Sequence, residues 1–320
     1  MALGEFELIQ DYFSSLNGPR DDVVLGVGDD CALVRVPEGR QLALTMDTLV
    51  AGVHFFPDVD PEALGHKVLA VNLSDLAAMG ATPAWVTLAL TLPQADAHWL
   101  AAFTQGFATL AKRFQVQLIG GDTTRGPLSI TVQAHGWLPA GQALRRAGAQ
   151  PGDLVYVTGT LGDAGLALQR RSQGVTWQTV EPALRARLER PEPRVDAGLA
   201  LREIASAAID ISDGLLADLG HVLQASGCGA QLWLDRIPMS EPVRKAVESE
   251  TGWQLPLTAG DDYELCFTLP PARRQTVVGI SDRLKLPITQ IGQIEADLGL
   301  RCVLRDGRLW QSEHTGYQHF

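Results

Sequence analysis

Positive charge is scarce in this chain. Its 320 residues carry 26 Lys and Arg against 37 Asp and Glu, a formal net charge of −11. Such a surface repels nucleic acid and anionic membranes, which excludes both as expected partners. It repels nucleoside polyphosphates too, unless metal ions intervene. Cysteine is equally sparse. Cys31, Cys228, Cys266 and Cys302 are far apart and form no Cys-x-x-Cys. That argues against a disulfide or zinc scaffold and for a reduced, cytoplasmic protein with structural thiols. Cys31, Cys266 and Cys302 fall in apolar, strand-like runs. No apolar run approaches the roughly 18–20 residues of a membrane span. The first residues contain Glu5 and Glu7 without a basic flank, unlike a signal peptide.

Familiar catalytic signatures are missing as well. There is no Gly-x-x-x-x-Gly-Lys-[Ser/Thr], which excludes a P-loop enzyme. Gly26-x-Gly28 lacks the third glycine of a dinucleotide fingerprint. Neither a Gly-x-Ser-x-Gly elbow nor His-Glu-x-x-His occurs, and the histidines show no ligand spacing.

Aspartate is what the chain does have, concentrated in short motifs. They are Gly28-Asp29-Asp30, Thr45-Met46-Asp47, Asn72-Leu73-Ser74-Asp75, Gly120-Gly121-Asp122-Thr123-Thr124, Asp210-Ile211-Ser212-Asp213-Gly214 and Gly260-Asp261-Asp262-Tyr263-Glu264. Oxygen donors in this number suit hard cations such as Mg²⁺. No comparable set of Lys and Arg stands beside them, so converging motifs would take their positive charge from metal, which points to phosphate chemistry.

The expected elements alternate. Residues 5–16 read as a short helix with Phe6, Ile9, Phe13 and Leu16 on one side. Strands follow at 32–36 and 42–45. Asp60-Pro61-Glu62 opens a helix that Gly80 ends. Then come a strand at 85–90, a helix at 97–113, and strands at 117–119 and 129–137. The Pro-, Gly- and Arg-containing stretch 139–153 reads as a domain junction. Beyond it, strands at 154–158, 207–211, 231–234, 264–268, 288–294 and 300–304 alternate with helices near 164–171 and 214–225. The expected fold class is mixed α/β (α+β) in two domains, 1–138 and 150–320.

Each motif also has a plainer reading. Asp75 shares a helical face with Leu64, Val68 and Val71 and so needs a partner, or else the helix breaks near Asn72 and Asp75 caps a second one. Asp30 equally suits an ordinary turn. Asp47 ends the apolar run Leu42-Ala43-Leu44, as a ligand or as an Asx turn. Gly120 and Gly121 permit close backbone approach to a ligand or simply a loop. Ser212 or Asp213 caps a helix whose free N–H groups could receive phosphate. Arg145 and Arg146 are a phosphate clamp or a solvated pair.

Taken together the motifs resemble the thiamine-monophosphate kinase family, ATP-dependent enzymes of the aminoimidazole-ribonucleotide-synthetase-like fold. The strings that carry the resemblance run collinearly along the chain. They are Gly4-Glu5-Phe6-Glu7-Leu8-Ile9, Gly28-Asp29-Asp30, Thr45 through Phe55, Ala70 through Gly80, Gly120 through Thr124, Asp210 through Leu215, and Gly316-Tyr317. The segment bearing His54 is the most family-specific. By this resemblance Asp30, Thr45, Met46 (through its carbonyl), Asp47, Asp75, Asp122, Asp210 and Asp213 hold several Mg²⁺ ions. Asp30, Asp47, Asp75, Asp122 and Asp210 then act in catalysis through metal. Gly121, Asp122, Arg146 and Ser212 would contact ATP, and His54, Asp261 and Tyr317 would contact thiamine monophosphate.

The resemblance further implies in-line phosphoryl transfer giving thiamine diphosphate, and a homodimer paired through the N-terminal sheet. Other enzymes of the fold act on purine precursors or make selenophosphate, but the latter needs a reactive Cys with a nearby Lys, which Cys31 lacks. One departure is visible. The family commonly shows Gly-Gly-Glu/Asp-Asp-Tyr-Glu, whereas this chain has Ala259-Gly260-Asp261-Asp262-Tyr263-Glu264. Ala259 speaks against a left-handed backbone there, and Asp261 is the shorter acid. Trp85, Trp310 and Phe320 read as core or tail residues.

Overall fold

The computed structural model describes residues 5–14, 16, 20–248, 252–312 and 316–317. Gly4, Phe320 and the side chain of Phe6 lie outside the described residues. The chain divides into two compact units: Met1–Leu76 with Ala81–Gly141, and Ala77–Gly80 with Gln142–Phe320.

The first unit opens with α1 (Glu5–Tyr12), which stops before Leu16, because the Ser14 N–H turns back onto the carbonyl of Ile9. β1 (Val23–Leu25) and β2 (Leu33–Val34) form a small antiparallel pair. Cys31, expected in an apolar strand-like run, lies just outside this pair and is exposed, whereas Cys228, Cys266 and Cys302 are buried. β3 (Arg40–Val50), α2 (Pro61–Ala78), β4 (Thr82–Leu92), α3 (Ala97–Arg113), β5 (Gln117–Arg125) and β6 (Ser129–Pro139) complete the unit.

Their four-stranded sheet has the order β3-β6-β4-β5, with β4 and β5 parallel and the other pairs antiparallel. β6 shows the two-residue period plainly. Ile130, Val132, Ala134 and Leu138 are buried while Thr131, Gln133 and His135 are only half-buried. β3 pairs with it from Arg40 opposite Pro139 to Val50 opposite Ser129. Asp47 therefore sits inside a long strand, not at the end of a short one, because antiparallel pairing carries β3 through the polar residues that end its apolar run. β5 likewise continues through Gly120 and Gly121, where a loop was expected. A bulge at Ile119, between Leu118 opposite Val86 and Gly120 opposite Thr87, precedes them, and both glycines stay paired with β4. Gly121 adopts φ +154, and a Cβ there would stand 1.9 Å from the Leu88 carbonyl oxygen.

Both long helices follow their sequence signals. The Asp60 carboxylate accepts the Glu62 N–H at 3.1 Å, and Gly80 at φ +65 follows the last turn of α2. α2 is unbroken through Asn72 and Ser74, so Asp75 is an internal helical residue and caps nothing. Leu64, Val68 and Val71 on its face are buried as expected. Asp96 caps α3 by accepting the His98 and Trp99 N–H groups, and Lys112 and Arg113 occupy its last turn.

The second unit carries β7 (Leu154–Thr158), α4 (Asp163–Ser172), α5 (Pro182–Glu189), α6 (Val195–Leu201), β8 (Ala207–Asp210), α7 (Leu215–Ser226), β9 (Gly229–Trp233), α8 (Glu241–Ala246), α9 (Gln254–Thr258), β10 (Leu265–Leu269), α10 (Arg274–Leu284), β11 (Ile288–Glu295), β12 (Gly299–Val303) and β13 (Leu309–Trp310). The sheet order is β13-β12-β9-β11-β7-β10-β8, antiparallel except between β12 and β9. Val155, Val157, Ile209, Leu219, Leu232 and Ile291 lie in its main core. Helices α8, α9 and α10 carry no expectation from sequence. Two are a turn or so long, and α10 buries only Val277 and Ile280, too few to print a period. Among the described residues no helix is long and apolar enough to cross a membrane.

Candidate functional site

In the first unit, side chains of α2 reach strand β3. The Thr45 hydroxyl donates to Asp75 Oδ2. The Asp47 N–H donates to Asn72 Oδ1 at 3.2 Å, and Asn72 Nδ2 is tied to the Val68 carbonyl at 3.0 Å. Asn72 and Ser74 are fully buried, whereas Asp75 is half-buried. Alternation along β3 puts Thr45 and Asp47 on this helix-facing side and Met46 on the other. Burial, and then the charge of Asp75, push the Asp47 carboxyl up to about 7. Asp75 thus opposes the ionisation of Asp47 in a half-buried place.

The remaining residues of this unit are placed differently. Asp122 on β5 is in register with Ala89, Thr131 and Thr48. It therefore lies on the sheet face opposite Asp47, about 14 Å from β3 at three strand spacings. Asp30 is exposed in a turn, its N–H held by Asp29 Oδ1 at 2.8 Å. His54 Nδ1 accepts the Val50 N–H at 3.0 Å, so the neutral ring carries its proton on Nε2.

The second unit laces three of the expected segments together through the backbone. Ile211 N–H donates to the Glu264 carbonyl at 2.8 Å and Tyr263 N–H to the Ile211 carbonyl at 2.8 Å. The Asp261 N–H donates to the Ser212 carbonyl at 2.9 Å and Tyr317 N–H to the Asp213 carbonyl at 3.0 Å. The pairing of β8 with β10 thus continues past Asp210, which is buried opposite Leu265. Gly260 makes this approach possible, since a Cβ there would stand 2.3 Å from the Ser212 carbonyl oxygen. Ala259 is extended at φ −75, so its Cβ brings no strain. The left-handed residues of the turn are Asp261 and Tyr263 instead.

Neither Ser212 nor Asp213 caps α7. Gly214 holds that position at φ 119 with no side-chain bond of its own. The amides of Ser212, Asp213 and Gly214 all donate to Asp218 Oδ2 at 3.1 Å, so they are spent internally and are not an open phosphate cradle. Burial raises the Asp218 carboxyl to about 7, against the pull of these backbone bonds and with the nearby charge of Asp213. Arg145 and Arg146 are both exposed; their carbonyls accept Ala208 N–H and Ser226 Oγ. Tyr317 is 49% exposed. Trp85 is core, its Nε1 donating to Asp22 and its ring edge-on to Trp137, and Trp310 packs at the edge of the second core.

Beneath the 260–264 turn lies a buried ionic network that sequence reasoning missed. Glu264 is fully buried and receives Thr158 Oγ1 at 2.6 Å, Arg194 Nε at 2.6 Å and Arg187 Nη2 at 2.8 Å. Arg187 also donates to the carbonyls of Thr160 and Asp262. Both Asp262 oxygens accept the Gly162 N–H at 3.0 Å, and burial pushes that carboxyl well up. The only advance signal was the acidic run itself; nothing in sequence pairs position 264 with 187 or 194.

The model for the N-terminal domain of AIR synthase related proteins matches residues 28–138, and that for their C-terminal domain matches residues 150–305. The thiamine-monophosphate kinase of Salmonella typhimurium (strain LT2) is 52% identical over 322 residues, covering 100% of this chain and 99% of that one. This chain belongs to the thiamine-monophosphate kinase family. Its members are enzymes, kinases by name. The crystal structure of thiamine-monophosphate kinase from Stenotrophomonas maltophilia K279a superposes with a TM-score of 0.89 at 47% identity, covering 97% of this chain and 99% of that chain. AaThiL complexed with AMPPCP and TMP matches with a TM-score of 0.78 at 31% identity, over 99% of this chain and 97% of that chain.

Members of the thiamine-monophosphate kinase family handle phosphate, so the donor set matters. Among the described residues no group of three or more His, Cys, Asp and Glu side chains gathers to hold a metal. Asp47 and Asp75 meet, Asp122 faces the other side of the sheet, Asp30 is in a turn, and Asp210 belongs to the second unit. The Thr45 hydroxyl and the Asp47 and Asp75 carboxylates are oxygen donors, and the repulsion between the two carboxylates is what a divalent cation neutralises. The donor chemistry fits Mg²⁺.

Proposed function

We propose that this chain transfers the terminal phosphoryl group of ATP to the phosphate of thiamine monophosphate, yielding thiamine diphosphate and ADP in the cytoplasm. The strongest single support is full-length likeness, at 52% identity, to a thiamine-monophosphate kinase. The lacing of Ser212, Asp213, Asp261 and Tyr317 into one place in the second unit adds a physical reason. A substrate panel with ATP, Mg²⁺ and thiamine monophosphate, read by ADP release and by the appearance of thiamine diphosphate, tests it. Absence of thiamine diphosphate with folded protein rejects the proposal.

The acceptor needs no general base. A phosphate monoester has a second pKa near 6, so its oxygen is already largely deprotonated at neutral pH. The barrier is repulsion: two groups of charge near −2 at roughly 5 Å oppose each other by about 3 kcal/mol in water, and more where water is excluded. Asp30, Thr45, the Met46 carbonyl, Asp47, Asp75, Asp122, Asp210 and Asp213 are the residues that would hold Mg²⁺. Bound metal supplies the positive charge that lets donor and acceptor align for in-line transfer. Gly121, Asp122, Arg146 and Ser212 take the ATP side. The Nε2–H of His54 is a donor suited to a phosphate oxygen. Asp261 pairs with the cationic thiazolium and Tyr317 offers an aromatic face to the thiamine rings.

The homodimer is part of the same reading. On the face of β3 away from α2, Leu42, Leu44 and Met46 are 39%, 56% and 62% exposed. An apolar row of this kind on an antiparallel sheet marks an interaction surface. Sedimentation at micromolar protein is expected to give twice the chain mass, and a monomer would remove this element.

A further inference from the structure

We propose that Tyr263 is a positioning residue that orients the Asp261 carboxylate for the cationic part of the substrate. The inference rests on the reading above, in which Asp261 contacts thiamine monophosphate.

The observation that carries it is a pair of unusual backbone conformations. Among the described residues, non-glycine positive φ occurs at Gln115, Asp261, Tyr263 and Lys285. Gln115 and Lys285 stand within two residues of the ends of α3 and α10, where the left-handed conformation is ordinary. Asp261 at φ 67 and Tyr263 at φ 49 stand in the turn before β10, one residue apart. Aspartate tolerates that region; an aromatic residue there is a genuine outlier. Such strain persists only where the surroundings over-determine it.

The surroundings here do so from both sides. The Asp261 and Tyr263 N–H groups are fixed on the Ser212 and Ile211 carbonyls. Between them Asp262 plunges inward onto the Gly162 amide, and Glu264 is locked by Arg187, Arg194 and Thr158. With Asp262 directed into the core, the two left-handed residues turn their side chains toward each other. The Tyr263 hydroxyl donates to Asp261 Oδ1 at 3.1 Å. Both residues are half-buried, so the bond sits where a ligand can reach the carboxylate. Tyrosine spends its hydroxyl on Asp261 Oδ1 and so restrains the rotation of the carboxylate. That also answers how a short aspartate suffices at this position: its direction is held.

The test uses purified full-length enzyme and separate KM values for the two substrates. Tyr263→Phe keeps the ring and backbone and removes only the hydroxyl. We expect KM for thiamine monophosphate to rise about tenfold, the effect of losing one hydrogen bond to a charged group, with KM for ATP and kcat little changed. In an Asp261→Ala background, Tyr263→Phe should add no further loss, because its action runs through Asp261. Equal losses in both backgrounds, or wild-type kinetics for Tyr263→Phe alone, overturn the proposal even if the thermal midpoint falls. A wild-type enzyme that makes no thiamine diphosphate, or an Asp261→Ala variant with unaltered KM, overturns the underlying reading of the site and this proposal with it.

Discussion

Replacing Glu264 by Ala should cost the second unit about 3–5 kcal/mol, the usual penalty for stripping one partner from a buried ion pair. The side chain is fully buried and engaged by Thr158, Arg187 and Arg194, and the two arginine side chains are only 18% and 16% exposed. Burial by itself would weaken the Arg187 charge, but Glu264, Asp262 and Asp163 more than offset it and hold its pKa above the ordinary value. Removing the carboxylate leaves two cations and a buried hydroxyl facing a void. Arg187 would also lose its grip on the turn that presents Asp261. Urea unfolding followed by tryptophan fluorescence measures the loss. The exposed Glu241–Lys245 pair is the control, since surface pairs contribute little and Glu241→Ala should leave the midpoint where it was. Equal stability of Glu264→Ala and wild type would show that the network is not what holds this turn.

Asp75→Asn should separate activity from stability in opposite directions. Turnover is expected to fall roughly 10²–10³-fold, the scale of losing one group that stabilises transition-state charge. Stability in metal-free buffer at pH 8 should rise, because Asn keeps an acceptor for Thr45 but no longer repels Asp47. The sign follows from linkage. Asp47 titrates near 7 when folded and near 4 when unfolded, so the folded state binds its proton more tightly. The stability this confers is whole below pH ~4 and is lost as pH rises through 7. In the variant that slope should flatten, since one of its two causes is gone. Thermal midpoints at pH 5 and pH 8 without metal, beside steady-state rates with Mg²⁺, give both readings. Near-normal turnover would take Asp75 out of the site.

The legibility of the fold varied with the length of the signal. Helix α3 was expected at about 97–113 and spans Ala97–Arg113, with Asp96 capping its start and Lys112 and Arg113 in its last turn. β7 was equally clear as a continuous apolar run in a buried strand. Strand β3 was cut short because Thr45, Asp47 and Thr48 interrupt its apolar run, and only pairing with β6 shows that the chain remains extended through Asp47. β5 was truncated at its glycines for the same reason: a bulge partner on β4 is invisible from one strand. The α7 cap was misassigned because the carboxylate that serves it, Asp218, lies inside the helix it caps.

The aspartate motifs, the mixed α/β class and the family were determined by the sequence itself, since each depends on residue types at close spacing. Tertiary structure alone decided that Asp47 and Asp75 confront each other, that Asp122 turns to the opposite sheet face, and that Tyr263 meets Asp261 above a buried arginine network. Those facts depend on strand register and on partners distant along the chain, where no local rule of spacing acts.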